Sequence, residues 1–366
     1  MNVFLFEGKK LFRSPAFLLV LGIVVVAISI LFIRNVMLTD YLHDQAIQEV
    51  ESFLSESRMN ERMYVAALDT NPTDEETLLL QERNQAIRSS LQALQTARFN
   101  EDSRAELESE LLFFSNVQAF RDAGGEFNLS ETQIARQSLQ NEALLDADLA
   151  REVSGYGLSL PNFLADVLML YFSVGGPALL LVLVAPYMTH EFENRSIYFL
   201  FSQPINRSLI VPIKAIHAYV AFIAITLCVG ITASLLALFF GNSGSFAYPL
   251  VVEYGDSYAL MTVGSYIFQG LLLLAVFVVF FIGLHLLFSV LLRHTLPATL
   301  TLLTVLLAGY GSTQLLSMNV VNPFAYVNVH EKFLYESAAL YTAVPVTLAV
   351  AGLCYAVASY RLKHWM

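Results

Sequence analysis

The stretch PAFLLVLGIVVVAISILFI, residues 15–33, contains no charged side chain and is followed by Arg34. An α-helix rises about 1.5 Å per residue, so a helix of these residues is about as long as the hydrocarbon core of a bilayer is thick. The stretch is too long for the apolar part of a signal peptide, and it lacks a small-residue cleavage site. It predicts the first membrane-spanning helix of the chain.

The rest of the chain repeats this pattern. Hydrophobic residues make up 56% of the 366 residues and charged residues 14%, and the mean hydropathy is +0.58. Globular domains average about 45–50% hydrophobic and about 25% charged residues. Further apolar stretches lie at about 160–187, 215–240, 262–292, 297–315 and 341–360. Cys228 and Cys354 lie inside such stretches, which excludes a disulfide framework. We predict an all-α integral membrane protein with six transmembrane helices and a large helical extracellular domain between helices 1 and 2.

The basic residues of the short connections predict the orientation of the chain. Connections on the cytoplasmic side of a membrane protein carry an excess of Lys and Arg. In the termini and the short connections, all arginines and all but one of the lysines fall on one side of the predicted membrane. They are Lys9, Lys10, Arg13, Arg195, Arg207, Lys214, Arg293, Arg361 and Lys363. The connection between helices 3 and 4 carries Glu253 and Asp256 and no basic residue. We therefore expect a multi-pass protein of the cell membrane with both termini in the cytoplasm.

Charge divides the chain into regions. The formal net charge of −11 argues against nucleic acid as a partner. Residues 40–160 hold 23 acidic side chains against nine arginines and no lysine, whereas the remainder is mildly basic, as expected of a protein that faces anionic lipid. We predict an amphipathic N-terminal helix at 1–14, transmembrane helix 1 at 15–38, an acidic helical extracellular domain at 39–160 (the inserted domain), and helices 2–6 at 161–366 with a cytoplasmic segment at 188–214.

Helix-start signals recur in the inserted domain. Thr73 with Glu76 has the pattern of a capping box, Asn100 precedes another helical stretch that ends near Gly124, and Ser130 with Gln133 indicates a third start. Two interpretations remain open for this domain: a solvated helical spacer, or a surface that gates or captures a substrate.

A search for catalytic chemistry excludes several enzyme classes. The chain has no Gly-x-x-x-x-Gly-Lys-Ser/Thr motif, so it lacks the usual phosphate-binding loop of an ATPase. His190-Glu191 lacks the second histidine of a zinc protease, because position 194 is Asn, and no metal cluster is evident. Asp166 and His285 are ionisable groups within predicted spans, which makes each either a functional group or a side chain satisfied locally.

Small residues mark two places where helices can bend. Gly175-Gly176-Pro177 lies in the middle of the second span, where proline removes a helix hydrogen bond and glycine lowers the cost of bending. Gly309 and Gly311 lie toward the outer end of the fifth span. Small residues also permit close helix packing, so each group is either a hinge that lines a path or a packing seam.

The most informative connection is HEFENRSIYFLFSQPINRSLIVPIK, residues 190–214. Acidic residues come first, and then an apolar patch at 197–201, followed by Pro204, Arg207 and finally Lys214 at the mouth of the third span. An amphipathic segment of this kind lies in the membrane interface or docks into a groove of a partner.

This connection resembles that of the membrane subunits of ABC transporters of the ABC-2 type. That family has acidic residues, then Gly and Thr or Ser, an apolar patch, a Pro, an Arg and a Lys before its third span. The matching positions here are Glu191, Glu193, Ser196, Pro204, Arg207 and Lys214, whereas the usual Gly is Arg195. Glu7, Lys9, Lys10 and Arg13 resemble the family's amphipathic N-terminal helix, and Asn322-Pro323-Phe324 its segment before the sixth span.

The resemblance implies the permease of an ATP-driven exporter, with no active site and no cofactor or metal of its own. A separate cytoplasmic ABC ATPase would hold ATP and Mg²⁺ and bind the N-terminal helix and residues 188–214, the coupling segment. A second permease, identical or related, would complete the pathway, with spans 2 and 5 at the interface. Permeases with large domains between spans 1 and 2 suggest a peptide antibiotic, a lipid-like molecule or an ion as cargo.

Two other functions remain as alternatives. The chain could be a stand-alone membrane sensor, in which the acidic inserted domain binds a ligand and the spans relay the signal without any nucleotide. It could also be an intramembrane enzyme that uses Asp166 or His285.

Overall fold

A computed structural model describes residues 3–202, 206–254, 257–315, 321–335 and 340–364. Within these residues, six helical segments are long and apolar enough to cross a membrane, which confirms the predicted number of spans. They are Pro15–Thr70, Leu160–Glu193, Arg207–Phe240, Val263–Leu292, Thr295–Thr313 and Val344–Lys363. An even number of spans places both termini on one side; we call it the terminal face, and the side that carries the inserted domain the domain face.

Span 1 and the inserted domain are continuous. Helix α1 covers Val3–Phe12, and α2 runs from Pro15 to Thr70 after Ser14, whose side chain accepts a hydrogen bond from the Phe17 N–H. The predicted boundary between 38 and 39 is therefore not a break in the helix. The sequence has neither Gly nor Pro between Gly22 and Pro72, so nothing in it interrupts the α2 backbone.

Three more helices complete the inserted domain: α3 at Glu75–Phe99, α4 at Ser103–Asp122 and α5 at Glu131–Asp146. Two of the predicted helix starts were wrong by a few residues: Asp74, not Thr73, is the N-cap of α3, and Asn100 ends α3 while Asp102 caps α4. The start at Ser130 is confirmed, since its hydroxyl accepts from the Gln133 N–H at 3.1 Å. Apolar side chains of α2, α3 and α4 form a separate core here, which includes Leu54, Ile87, Leu91, Phe113, Val117 and Phe120.

The remaining spans surround one central helix. Span 2 consists of α6 at Leu160–Leu170, a π-helical turn at Tyr171–Gly175 and α7 at Gly176–Glu193. The other helices are α8 at Ile197–Ser202, α9 at Ile210–Phe240, α10 at Val263–Leu292, α11 at Thr295–Leu315, α12 at Val329–Tyr335 and α13 at Val344–Lys363. Helix α10 is the most buried span and packs along α13, with Phe277, Phe280 and Phe281 in the core.

A small β-hairpin lies between α9 and α10. Strand β1 at Pro249–Tyr254 pairs antiparallel with β2 at Ser257–Thr262, with Pro249 opposite Thr262. The hairpin contacts α5 and α12, so it joins the inserted domain to the short helix that precedes span 6. Helices make up 82% of the structure, and the predicted all-α membrane fold is confirmed.

Candidate functional site

Four charged side chains from three separate segments meet at the terminal face. The ammonium of Lys214 at the start of α9 lies 2.9 Å from Oε2 of Glu7 in α1 and 2.8 Å from Oε1 of Glu191 near the end of α7. Lys10 donates to the same Glu191 oxygen at 2.9 Å. Glu7, Glu191 and Lys214 are each at most 2% exposed, whereas the Lys10 side chain is 40% exposed. We call these four residues the buried charge cluster.

Lys214 is fully satisfied within this cluster. Its ammonium has three N–H donors, and the third donates to the backbone oxygen of Tyr187 at 3.3 Å, with the charge 4.3 Å from the Tyr187 ring centre. Two carboxylates and two ammonium groups give the cluster no net charge. Removing two charges from water costs several kcal/mol per ion, and only such well-placed partners offset that cost. The cluster therefore fixes the relative positions of α1, α7 and α9.

Helix α1 packs against α9 with a small residue at the contact. A Cβ atom on Gly8 would lie 3.1 Å from Nε2 of His217, so a larger residue would require the His217 ring to shift by a few tenths of an ångström. The Phe4 ring packs on the His217 ring with the centres 4.4 Å apart. On the same helix Lys9 is exposed, as is Arg13 just beyond it. Helix α1 thus buries Glu7 and presents basic side chains to the terminal face.

The short helix α8 has one buried and one exposed side. Ile197 and Leu200 are buried, whereas Tyr198 and Phe199 are 61% and 63% exposed. The Arg207 guanidinium lies 4.6 Å from the Phe201 ring centre. Pro204 lies outside the described residues. Two large apolar side chains are thereby exposed on the face that carries the buried charge cluster.

Arg195 begins the turn between α7 and α8 in the left-handed conformation, with φ of +56°. Glycine adopts this region without a steric penalty, whereas other residues do so at a cost. Arg195 therefore occupies a conformation that glycine would adopt without this backbone strain. The Ser196 hydroxyl lies 3.5 Å from the backbone oxygen of Glu191.

Glu193 connects span 2 to span 5. Its Oε1 accepts a hydrogen bond from the Thr295 N–H at 2.7 Å, at the first residue of α11, where unpaired N–H groups favour a carboxylate. The hydroxyls of Thr189 and Thr295 lie 2.7 Å apart. The end of α7 and the start of α11 are thus held together at the terminal face.

The α-helix of span 2 is interrupted at Gly175 and Gly176. A π-helical turn ends at Gly175, and Ser173 has a non-helical backbone, with φ of −79° and ψ of −116°. Cβ atoms on Gly175 and Gly176 would collide with the backbone oxygens of Leu170 and Tyr171, and Pro177 lies at the start of α7. The turn therefore depends on both glycines.

The glycines of span 5 differ from each other. A Cβ atom on Gly309 would overlap the ring of Phe324, in the segment before span 6, whereas a Cβ atom on Gly311 would meet nothing within 4 Å. Gly309 thus allows span 5 to pack closely against Phe324, whereas Gly311 is not needed for close packing.

The two ionisable residues within spans are not part of the buried charge cluster and have partners near them in the sequence. The Asp166 carboxylate accepts from the Gly155 and Gly157 N–H groups at 2.9 and 2.8 Å. His285 is fully buried, with its Nε2 3.2 Å from the Ser289 hydroxyl. Among the described residues, no three His, Cys, Asp or Glu side chains are arranged to hold a metal ion.

The residues of the buried charge cluster were all noted from the sequence, but their pairing was not. Glu7, Glu191 and Lys214 were each assigned to a segment, and nothing in their spacing indicates that they meet. His217 and Tyr187 were missed, because an aromatic residue within an apolar span carries no signal that distinguishes it from its neighbours.

Comparison with known proteins gives one match. No curated protein and no solved structure matches the chain. The family described as ABC-2 family transporter protein matches residues 1–363, which is nearly the whole chain. A six-span helical membrane protein with a charged, amphipathic connection between spans 2 and 3 agrees with that match. The chain therefore belongs to the ABC-2 family of transporter proteins, as a membrane permease of an ABC transporter.

Proposed function

We propose that this permease is the membrane subunit of an ATP-driven exporter and that its ATPase subunit binds the surface formed by α1 and α8. Family membership implies an ABC ATPase partner. The observation that supports this site is the exposure of Tyr198 and Phe199 on a helix whose other side, Ile197 and Leu200, is buried in the protein. Aromatic side chains of this kind are typical of the buried centre of an interface.

The contacts suggest how force would pass from the ATPase to the spans. Helix α8 follows α7 after three residues, so a displacement of α8 acts on Glu191 and through it on Lys214 and Glu7. Buried ion pairs resist separation, because an unpaired charge in the interior is costly. Helices α1, α7 and α9 would therefore move as one body. The Glu193–Thr295 hydrogen bond would carry the same movement to span 5.

The remaining parts of the proposal come from the family resemblance and from the charge pattern of the connections. The terminal face would be cytoplasmic, in the cell membrane, because it carries the basic connections and the ATPase surface. ATP and Mg²⁺ would bind the ATPase, and a second permease, identical or related, would complete the pathway beside spans 2 and 5. The π-helical turn of span 2 would be the hinge. A peptide antibiotic, a lipid-like molecule or an ion would be the cargo.

Co-purification tests the proposed ATPase surface. The tagged chain is purified in mild detergent from its native host, and the bound proteins and ATP hydrolysis are measured. We expect a stoichiometric ATPase with the wild type and its loss with Phe199→Asp. Phe99→Asp is the matched control, because Phe99 is 61% exposed on the inserted domain. An unchanged ATPase yield with Phe199→Asp would exclude α8 as the docking site, and a preparation without any ATPase would favour a stand-alone sensor.

A further inference from the structure

A cavity of about 180 Å³ lies between spans 1 and 2 at the domain face. Arg34 and Asn35 of α2, Asp166 of α6 and the connecting residues Gly155 and Tyr156 line its polar side. Apolar side chains of both spans, among them Leu31 and Leu170, line the rest. The cavity is many times larger than the roughly 10–15 Å³ that a cavity needs, on the same measure, to hold one water molecule.

The polar side of this cavity is held by a tight set of hydrogen bonds. Asn35, only 1% exposed, donates to the Gly157 backbone oxygen at 3.0 Å, and its own side-chain oxygen accepts from Arg34 at 2.7 and 3.1 Å. Arg34 also donates to the Gly155 oxygen at 2.6 Å. A Cβ atom on Gly157 would lie 2.8 Å from the Cβ of Asn162 and 3.1 Å from Oδ2 of Asp166, so the close approach of this loop requires glycine. The site is preformed.

One cation and one anion line this cavity without pairing with each other. The hydrogen bonds of the Arg34 guanidinium come from Nε and Nη2, and the group lies 4.6 Å from the Tyr156 ring centre. In the described residues Nη1 donates to no protein acceptor, and no carboxylate lies within ion-pair distance. Each oxygen of Asp166 accepts one hydrogen bond and keeps a further lone pair. A group that carries both a negative and a positive charge would complement these two side chains.

The surroundings indicate where such a group comes from. Arg34 is the first charged residue after the apolar stretch 15–33, so it lies at the membrane boundary. Leu170, which lines the cavity, is 48% exposed on a membrane span, so the cavity borders the surface that a bilayer would cover. We propose that the cavity binds a phosphate ester linked to a primary ammonium, as in the headgroup of phosphatidylethanolamine, with the phosphate on Arg34 and the ammonium on Asp166. The π-helical turn begins at Tyr171, directly after Leu170, so the bound headgroup lies beside the bend of span 2.

Native mass spectrometry of the full chain tests this site. The detergent-solubilised chain is mixed with phosphatidylethanolamine and phosphatidylglycerol of identical acyl chains. We expect the wild type to retain at least about tenfold more of the ethanolamine lipid, and Arg34→Gln and Asp166→Asn to lose the preference. Arg13→Gln is the matched control, since Arg13 flanks the other end of span 1 and keeps the cavity intact. The same preference in Arg34→Gln would overturn the proposal, and no preference in the wild type would exclude the lipid as the source of the bound group.

Soluble O-phosphoethanolamine distinguishes a lipid headgroup from a soluble ligand as the source of this chemistry. Arg34 is exposed, so Arg34→Gln is expected to fold even if Asp166→Asn does not. The soluble compound could raise the melting temperature of the wild type but not of Arg34→Gln, while the lipid is not retained. That result would support the same headgroup chemistry in a soluble ligand. Stabilisation by neither the lipid nor the soluble compound would refute the site.

Discussion

Lys214 and Glu7 are 207 positions apart in the sequence, yet their charged atoms lie 2.9 Å apart and both side chains are buried. This pair joins the N-terminal helix to span 3, and Glu191 adds the end of span 2. The three segments that the proposed function assigns to ATPase coupling are thus connected inside the protein, not only adjacent at its surface.

Replacing Lys214 should destabilise the protein strongly. Lys214→Met leaves two buried carboxylates without their main partner, and breaking a buried pair costs about 3–5 kcal/mol. Lys10→Met removes a partner of the same Glu191 oxygen, but Lys10 is 40% exposed, and such pairs contribute about 1 kcal/mol or less. The stability of both variants is measured by thermal unfolding in detergent, with intrinsic fluorescence as the signal. Equal stability of the two variants would show that the buried charge cluster does not hold these segments together.

Acid should weaken the inserted domain through Glu110. Burial raises the pKa of this carboxyl, but hydrogen bonds and charges from Arg151, Asn141 and Arg98 outweigh burial and hold the pKa below its ordinary value of 4.5. The stability from this group is therefore fully present above about pH 4.5 and is lost as the pH falls through the lower folded-state pKa.

The corresponding variant is Glu110→Gln. We expect it to lose on the order of 3 kcal/mol at pH 7, because it removes the carboxylate partner of Arg151 and of the buried Arg98, and to approach the wild type as the pH falls below 4.5 through the folded-state pKa. Glu108→Gln is the control, since Glu108 is exposed on the same helix. Unfolding temperatures measured from pH 7 to pH 3 check the trend. A difference between Glu110→Gln and the wild type that stays constant with pH would contradict it.

Glycine at position 195 should stabilise the turn before α8. Arg195 has a φ of +56°, so Arg195→Gly removes strain of about 1 kcal/mol, whereas Arg195→Ala keeps it. The melting temperature should rise for Gly and remain unchanged for Ala. If Gly lowered the melting temperature and Ala did not, the side chain rather than the backbone would be the important feature of this position.

The two glycines of span 5 should respond in opposite ways to alanine. In Gly309→Ala the new methyl group overlaps the Phe324 ring, which should cost about 1–3 kcal/mol. In Gly311→Ala the methyl group meets nothing within 4 Å, so the variant should match or exceed the wild type by up to about 1 kcal/mol. Transport and melting temperature are measured together. A stable Gly311→Ala that no longer transports would indicate a hinge at Gly311.

Composition and periodicity predict the membrane fold well, because a bilayer requires long apolar helices. The six spans and the helical inserted domain follow from that requirement. The continuity of α2 was not predicted, since the change from apolar to acidic residues near 38 marks the membrane boundary and not a helix end. The hairpin was also missed, although Gly255-Asp256 between β1 and β2 is a dipeptide that favours two-residue hairpin turns.

The sequence indicated the residues of the buried charge cluster but not the contacts between them. Glu191 and Lys214 were identified through the resemblance of residues 190–214 to the connection of ABC-2 permeases. Their contact with Glu7 depends on how α1 packs against α9, and that packing rests on Gly8 and His217, neither of which has a sequence signal. Long-range pairing of this kind is set by tertiary contacts.

Photo-crosslinking from α8 tests the central claim most directly. A benzophenone amino acid is introduced at position 199 or, as the control, at position 99, and cells are irradiated before the tagged chain is purified. We predict an adduct between position 199 and a protein that carries an ATPase phosphate-binding loop, and none from position 99. The absence of that adduct from position 199, or an equal yield from position 99, would contradict ATPase binding through α8.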